Sequence, residues 1–301
     1  MNTSNNVKEA SEEKYCASCG IAELDEVHYL TECDGCDLVR YCSVTCQEDH
    51  RPEHETKCKK RAAELRDEVL FRQPESHLGD CPICCLPLPL LLDKSALMSC
   101  CSKRICDGCR YANQIREAEM RVIQFTCLFC RQPRPKTEED AKQNLMKRAA
   151  VNDPDALTQM GCMCCDEGDY DSAFEYWTKA AKLGDAMAHY NISVMYRTGD
   201  GVEEDEKKEA YHLEEAAIRG HAYARHNLGV YEENNGRIDR AVNHYIIAAN
   251  LGDDESLKAL KECYRYGAVS KEDFAAALRA HYSAVSATKS PQRDAAAKYF
   301  V

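Results

Sequence analysis

The chain has 301 residues, which is enough for two or three domains. Apolar side chains make up 44% of the sequence, and the formal net charge is −12. Nucleic-acid-binding proteins usually carry a basic stripe, so this acidic balance argues against a nucleic-acid partner. The longest apolar stretch, from Leu86 to Leu92, is broken by two prolines and is too short to span a bilayer, so we expect no membrane partner.

Cysteine is frequent: sixteen of the twenty cysteines lie between Cys16 and Cys130. Residues 1–12 are polar, which predicts a disordered tail, and they lack the apolar core of a secretory signal. We therefore expect a reducing compartment, either cytoplasmic or nuclear. In such a compartment clustered cysteines bind metal rather than form disulfides.

The first cysteine cluster predicts a zinc module at residues 13–60. Two residues between cysteines let a tight turn place both sulfurs about 2.3 Å from one metal ion, whereas a gap of three suits a helical turn. Eight ligands form two closed tetrahedral sites, as in structural zinc centres. A charged stretch from Glu53 to Phe71 then predicts a helix, and residues 61–79 form a helical linker. The predicted ligands are Cys16, Cys19, Cys33, Cys36, Cys42, Cys46, His54 and Cys58.

The segments Tyr41-Cys42-Ser43 and Pro52-Glu53-His54, with Cys46-Gln47 and Cys58 at their spacings, resemble the MYND-type zinc finger. That family binds short proline-containing peptides of other proteins, so the resemblance implies a protein partner. It also implies interleaved sites: one zinc ion on Cys16, Cys19, Cys42 and Cys46, and a second on Cys33, Cys36, His54 and Cys58.

A second cluster occupies residues 80–133, with three Cys-x2-Cys pairs and the adjacent Cys100 and Cys101. The pattern resembles a RING finger, although Lys103 stands where that family usually has a histidine, and a protonated lysine cannot bind a metal ion. Tyr111–Gln124 contains no glycine or proline and predicts a helix. Together the two modules predict about four zinc ions. By resemblance, Cys81, Cys84, Cys106 and Cys109 hold one ion of this module, and Cys100, Cys101, Cys127 and Cys130 hold the other.

RING ubiquitin ligases hold a ubiquitin-conjugating enzyme on a shallow apolar surface. Ile83, Leu128 and Arg131 stand at the partner-binding positions of that family. Two interpretations stay open: a RING-type ubiquitin ligase, or a non-catalytic scaffold whose zinc modules and repeats only bind proteins. Cys85 is not needed as a ligand and is predicted to pack in the interior.

Residues 134–286 repeat themselves, which predicts a solenoid of helix pairs. Small alanine pairs allow close helix packing, and the glycine that follows each pair suits a left-handed helix cap. The region resembles SEL-one-like repeats, relatives of the tetratricopeptide repeats, which serve as scaffolds for protein complexes. About four repeats are expected, followed by a flexible tail at residues 287–301. The repeated units are Ala180-Ala181 with Gly184, Ala216-Ala217 with Gly220, and Ala248-Ala249 with Gly252.

Three further cysteines fall in the first repeat. Alignment with the third repeat predicts Cys162 in the core, and Cys164 and Cys165 facing solvent like Glu232 and Glu233. No Gly-rich phosphate loop, nucleophile elbow or pair of catalytic carboxylates stands out in the sequence. We therefore predict a multidomain intracellular adaptor with two small zinc-stapled modules and an all-α helical-repeat solenoid.

Overall fold

The computed structural model describes residues 15–23, 29–121 and 125–300. The predicted disordered segment at residues 1–12 lies outside these ranges. The chain divides into two compact units, Met1–Leu70 and Phe71–Val301. In the part of the chain that the structure describes, no helix has both the length and the apolar character needed to cross a membrane.

The described residues of the first unit form two short strands and one long helix. Strand β1 (Thr31–Glu32) pairs antiparallel with β2 (Arg40–Tyr41), and α1 spans Val44–Leu70. The helix begins earlier than the predicted start at Glu53, because the Ser43 hydroxyl accepts a hydrogen bond from the Cys46 N–H at 3.2 Å. Arg61 on α1 donates twice to Asp37, at 2.7 and 2.8 Å, and thereby ties the helix to the loop before β2.

The second unit starts with a small module built on one hairpin and one helix. A 3₁₀ turn at Leu92–Lys94 leads into β3 (Ser95–Met98), which pairs antiparallel with β4 (Lys103–Cys106), and α2 spans Asp107–Glu119. The helix starts four residues before the predicted Tyr111, directly after Cys106, and residues 122–124 of the prediction lie outside the described ranges. Leu88 and Ile105 are buried between the cysteine pairs and form the small core.

The helical array follows as a single helix and then four antiparallel pairs. Each pair begins with a helix of 12 or 13 residues, and a turn connects it to the second, antiparallel helix of the pair. The helices are α3 (Glu138–Ala149), α4 (Pro154–Asp166), α5 (Tyr170–Lys182), α6 (Ala186–Thr198), α7 (Glu206–Ile218), α8 (Ala222–Asn234), α9 (Ile238–Asn250), α10 (Asp254–Arg265) and α11 (Lys271–Ala287).

Close helix approach explains why the repeated small residues recur. Ala180, Ala216 and Ala248 are completely buried in the interfaces between helices. A Cβ atom on Gly161 would lie 2.5 Å from the Trp177 ring, and one on Gly229 would lie 2.4 Å from the Tyr245 ring. Each of these glycines therefore makes room for the aromatic ring of its paired helix.

Two side chains of the repeats differ from the prediction that they face solvent. Glu232 on α8 is only 5% exposed, and it forms ion pairs with Arg237 and with Arg240. Cys164, at the aligned position of α4, is also buried and joins the core of the first helix pair. Glu232 lies against Arg237, in the turn before α9, and Arg240 of α9, and its charge is tolerated because it is paired. Cys164 instead lies in the cluster that contains Ala173 and Trp177 of α5.

Residues 71–79 do not continue the predicted helical linker, because α1 ends at Leu70. Instead they run along the repeats. The Phe71 ring lies 4.8 Å from the His244 ring, and His77 stacks on His221 with ring centroids 4.3 Å apart. The His77 N–H also donates to the Gly220 carbonyl at 3.2 Å. The hairpin module and the repeats are therefore packed together within one unit.

The C-terminal segment is ordered, unlike the flexible tail predicted at residues 287–301. Helix α12 spans Pro291–Tyr299, with Ser290 as its cap and a proline in its first turn. It packs against α2, where Tyr299 lies 5.0 Å from Tyr111 and Ala296 is completely buried. Because only one face of α12 is covered, most of its residues are exposed, and the composition of the segment does not indicate that it packs against α2.

Candidate zinc centres and partner surface

The first cluster of the N-terminal unit joins two loop cysteines to two that flank the start of α1. Cys19 Sγ lies 3.5 Å from Cys42 Sγ, and Cys42 Sγ lies 3.6 Å from Cys46 Sγ. Four sulfurs at about 2.3 Å from a tetrahedral zinc ion are separated by about 3.8 Å. The spacing of Cys16, Cys19, Cys42 and Cys46 therefore suits one zinc ion.

The second cluster combines Cys33 and Cys36 of the β1–β2 turn with His54 and Cys58 of α1. Cys33 Sγ and Cys58 Sγ are 3.7 Å apart, and Cys36 Sγ lies 3.2 Å from His54 Nε2. Burial lowers the pKa of His54, which favours the neutral imidazole that a metal ligand requires. His50 stacks on His54 with centroids 5.6 Å apart and stays outside the cluster.

The hairpin module holds two further tetrads. Cys81 Sγ is 3.9 Å from Cys109 Sγ, and Cys84 Sγ is 3.8 Å from Cys106 Sγ. The ligands alternate along the chain: the first and third cysteine pairs share one tetrad, while Cys127 and Cys130 close the other. This alternation is the cross-brace arrangement that the sequence resemblance implied. The second tetrad is Cys100, Cys101, Cys127 and Cys130.

Adjacent cysteines reach one tetrad because they lie at the tip of the β3–β4 hairpin. Cys101 Sγ lies 3.8 Å from Cys127 Sγ, and Cys100 Sγ lies 3.4 Å from Cys130 Sγ. Ser102, the next residue, has a φ of 53°, in the left-handed region, and its N–H donates to the Met98 carbonyl at 2.8 Å. This tight turn brings both sulfurs to one side, while Lys103 stays exposed.

Three Cys-x2-Cys pairs share one backbone turn, which we call a knuckle. In each knuckle the residue after the second cysteine has a positive φ, and its N–H donates to the carbonyl of the first cysteine. Cys85 occupies this position and is exposed, so its predicted packing role is wrong. The three bonds run from Gly20 to Cys16 (2.9 Å), from Cys85 to Cys81 (2.8 Å) and from Arg131 to Cys127 (3.1 Å).

The donor sets fit zinc well. In every cluster the four candidate ligand atoms lie within 4.8 Å of one another, and thiolate with imidazole is the donor chemistry that zinc prefers. The clusters fit about four zinc ions, as predicted. Four protein ligands fill each tetrahedron and leave no position for a substrate, so the role of the zinc ions is structural.

The two knuckles of the hairpin module each expose one apolar side chain. Ile83 is 41% exposed, and Phe129, which holds the equivalent place in the second knuckle, is 46% exposed. Leu128, predicted as a partner contact, instead packs against the buried cluster around Leu88 and Ile105. Arg131 is exposed, beside the last cysteine. Sequence reasoning missed Phe129, which the alignment of the two knuckles would have revealed.

Comparisons with known proteins agree with two parts of this architecture. Residues 16–58 match the MYND finger, and residues 154–185, 186–221 and 222–253 match the Sel1 repeat. The mouse protein "DAP3-binding cell death enhancer 1" is 25% identical over 211 residues, covering 54% of this chain and 41% of that protein. The chain thus spans less than half the length of this curated relative.

Two solved structures are also similar. A Sel1 repeat protein from Oxalobacter formigenes is 24% identical, with a TM-score of 0.44, covering 49% of this chain and 65% of the other. A protective antigen of uropathogenic Escherichia coli that displays an SLR fold is 20% identical, with a TM-score of 0.39, covering 55% of this chain and 37% of the other.

Proposed function

We propose that this chain, a protein-interaction adaptor with a MYND finger and Sel1 repeats, also acts as a RING-type ubiquitin ligase through its hairpin module. The MYND finger and the repeats would select protein partners. The hairpin module would hold a ubiquitin-conjugating enzyme and present its thioester to a lysine of the bound partner.

The exposed side chain of Ile83 is the observation that carries this proposal. It lies on a knuckle whose flanking Cys81 is fully buried, yet 41% of its own surface is open to solvent. A single aliphatic anchor on a rigid loop can supply much of the binding energy of a small interface. Arg131, exposed on the other knuckle, adds a permanent positive charge that would contact ubiquitin.

The mechanism requires no nucleophile from this chain. Zinc, when bound, supplies only the rigidity of the two knuckles. The protein residues act by proximity: Ile83 and Arg131 orient the charged conjugating enzyme while the repeats hold the lysine-bearing partner nearby. We also propose that this takes place in the cytosol or nucleus, because fifteen of the twenty cysteines lie in clusters suited to zinc, and a reducing compartment keeps such cysteines available as metal ligands.

The test is autoubiquitination by the zinc-loaded chain with a panel of conjugating enzymes. Wild-type protein should modify itself with at least one of them, and Ile83→Ala should not. Leu183→Ala is the matched control, since Leu183 is 50% exposed and lies on the repeats. An inactive wild-type protein across the panel would reject the ligase proposal.

A non-catalytic scaffold is the second candidate, and α12 favours it. This helix packs along α2, and Arg293 at its start donates to the carbonyls of Leu86 and Pro87 beside the first knuckle. One side of the hairpin module is therefore already occupied by the chain itself. In a pure scaffold the module would fix the repeats in place, and Ile83→Ala would leave every binding partner bound.

A further inference from the structure

Arg293, in the first turn of α12, contacts the first knuckle of the hairpin module and one of its cysteines. Its Nη1 donates to the Pro87 carbonyl at 2.6 Å and to the Thr288 carbonyl at 2.7 Å. Its Nη2 donates to the Leu86 carbonyl at 3.1 Å and lies 3.5 Å from Cys84 Sγ. The guanidinium therefore reaches one sulfur of the Cys81, Cys84, Cys106 and Cys109 tetrad from a helix more than 200 residues away in sequence.

The neighbouring residues leave room for this side chain. A Cβ atom on Gly108 would lie 2.8 Å from Arg293 Cγ, so the aliphatic part of the arginine passes over α2 where glycine makes space. Gly108 lies between the two ligands Cys106 and Cys109. Helix α12 therefore lies close to the segment that supplies Cys106 and Cys109, two of the four cysteines of this tetrad.

The chemistry of the pair is complementary. Four thiolates and one zinc ion carry a net charge of −2, and arginine stays charged at every physiological pH. A hydrogen bond from a cation to a metal-bound thiolate disperses the charge of the cluster and holds the ligand in place.

We propose that Arg293 is an outer-sphere partner of this zinc site, and that the C-terminal helix thereby controls how firmly the zinc ion is held. Arg293 is a positioning residue that acts through Cys84 and the knuckle carbonyls. Because Cys84 follows Ile83, the end of the repeat array is linked through Arg293 to the loop on which the proposed ligase function rests. The zinc-site proposal itself does not depend on that function.

The test measures zinc release from the full-length, zinc-loaded chain into an excess of a chromogenic chelator. In Arg293→Gln one of the four zinc ions should leave roughly tenfold faster or more, the effect typical of losing an outer-sphere partner. Arg293→Lys keeps the positive charge but loses the two terminal nitrogens of the guanidinium, so its zinc-release rate should lie between those of Arg293→Gln and wild type. Arg279→Gln, which removes an exposed arginine of α11, should release zinc at the wild-type rate.

A second readout separates a bond to sulfur from simple packing. With cobalt in place of zinc, loss of the guanidinium should shift the thiolate-to-metal charge-transfer band, since the electron density on Cys84 Sγ changes. Arg293→Lys keeps the aliphatic packing over Gly108, so both measurements can be made on this variant if Arg293→Gln fails to fold. Wild-type release kinetics and an unshifted cobalt spectrum in folded Arg293→Gln, or in Arg293→Lys where only that variant folds, would overturn the proposal.

Discussion

Cys85 and Arg131 occupy the same left-handed backbone position in the two knuckles of the hairpin module, with φ values of 54° and 64°. Each residue follows the second cysteine of its pair and donates its N–H back to the first. Gly20 fills the corresponding place in the MYND finger, with a φ of 74°. The turn, rather than the side chain, is what these positions share.

Cys85→Gly should therefore keep the zinc content and leave stability unchanged or raised by up to about 1 kcal/mol, because glycine adopts a positive φ without strain. Urea unfolding with a zinc assay measures both quantities. Cys84→Ser is the control and should lose one zinc ion. A large loss of stability in Cys85→Gly would instead indicate a packing or ligand role for the thiol.

Metal removal should affect more than the zinc modules. The purified chain should hold close to four zinc ions, and structural zinc contributes roughly 10–16 kcal/mol per site in finger peptides. Because His77 stacks on His221 and Arg148 donates to Ser102 at 2.9 Å, the hairpin module also supports the repeats. Chelation should thus lower the melting temperature of the helical signal. An unchanged melting temperature would show that the repeats stand alone.

Gly220→Ala should detach the segment at residues 71–79 from the repeats. Its Cβ would lie 1.8 Å from the Glu75 carbonyl, and its φ is +86°. Gly236→Ala is a matched control, since Gly236 has a φ of +72° but no neighbouring atom within 4 Å of the added Cβ. Both variants carry backbone strain of about 1–2 kcal/mol. Thermal unfolding should show a clearly larger drop in melting temperature for Gly220→Ala than for Gly236→Ala. Equal drops would contradict the packing of residues 71–79 against the repeats.

Acid should destabilise the second unit through its buried histidines. Burial lowers the pKa of His244, which is completely buried, to about 3, and desolvation lowers that of the partly buried His77 to about 4, whereas the unfolded value is about 6.5. The unfolded state therefore binds more protons between pH 6.5 and about 4, so stability present above pH 6.5 is lost as the pH falls through this window.

Between pH 7 and pH 5 the free energy of unfolding should fall by roughly 2 kcal/mol for a fully buried histidine such as His244. Urea unfolding at pH 7 and pH 5 measures it, with a zinc assay to confirm that the metal is retained. His244→Gln cannot be protonated and should lose correspondingly less stability between the two pH values. An identical pH dependence in wild type and variant would exclude His244 as a contributor.

Local spacing in the sequence was sufficient to identify the zinc ligands and the repeats, whereas the grouping of the ligands into clusters came from the resemblance to the MYND and RING fingers. Ligand spacing within each knuckle is short-range, and the alanine and glycine periodicity reports directly on helix packing. The grouping of Cys100 with Cys101 followed from the resemblance to the RING finger, once Lys103 was rejected as a ligand. The ligand spacing and the periodicity depend on residues close together in the chain, although each zinc cluster joins ligands from distant parts of the sequence.

Long-range contacts were not predictable in the same way. The position of α12 depends on a gap at Gly108 and on carbonyls beside Cys84. His77 lies against His221 although a helical linker was expected there. Each of these contacts joins residues whose own neighbourhoods look exposed and polar.

The most direct test of the proposed function is single-turnover discharge of ubiquitin from a charged conjugating enzyme onto free lysine. The zinc-loaded wild-type chain should accelerate discharge with at least one conjugating enzyme. Ile83→Ala should reduce the acceleration tenfold or more, equivalent to about 1.4 kcal/mol. Arg131→Ala should reduce it as well, and Leu183→Ala should match wild type. A folded wild-type chain with four zinc ions that accelerates discharge from no conjugating enzyme, or an Ile83→Ala variant as active as Leu183→Ala, would contradict the account.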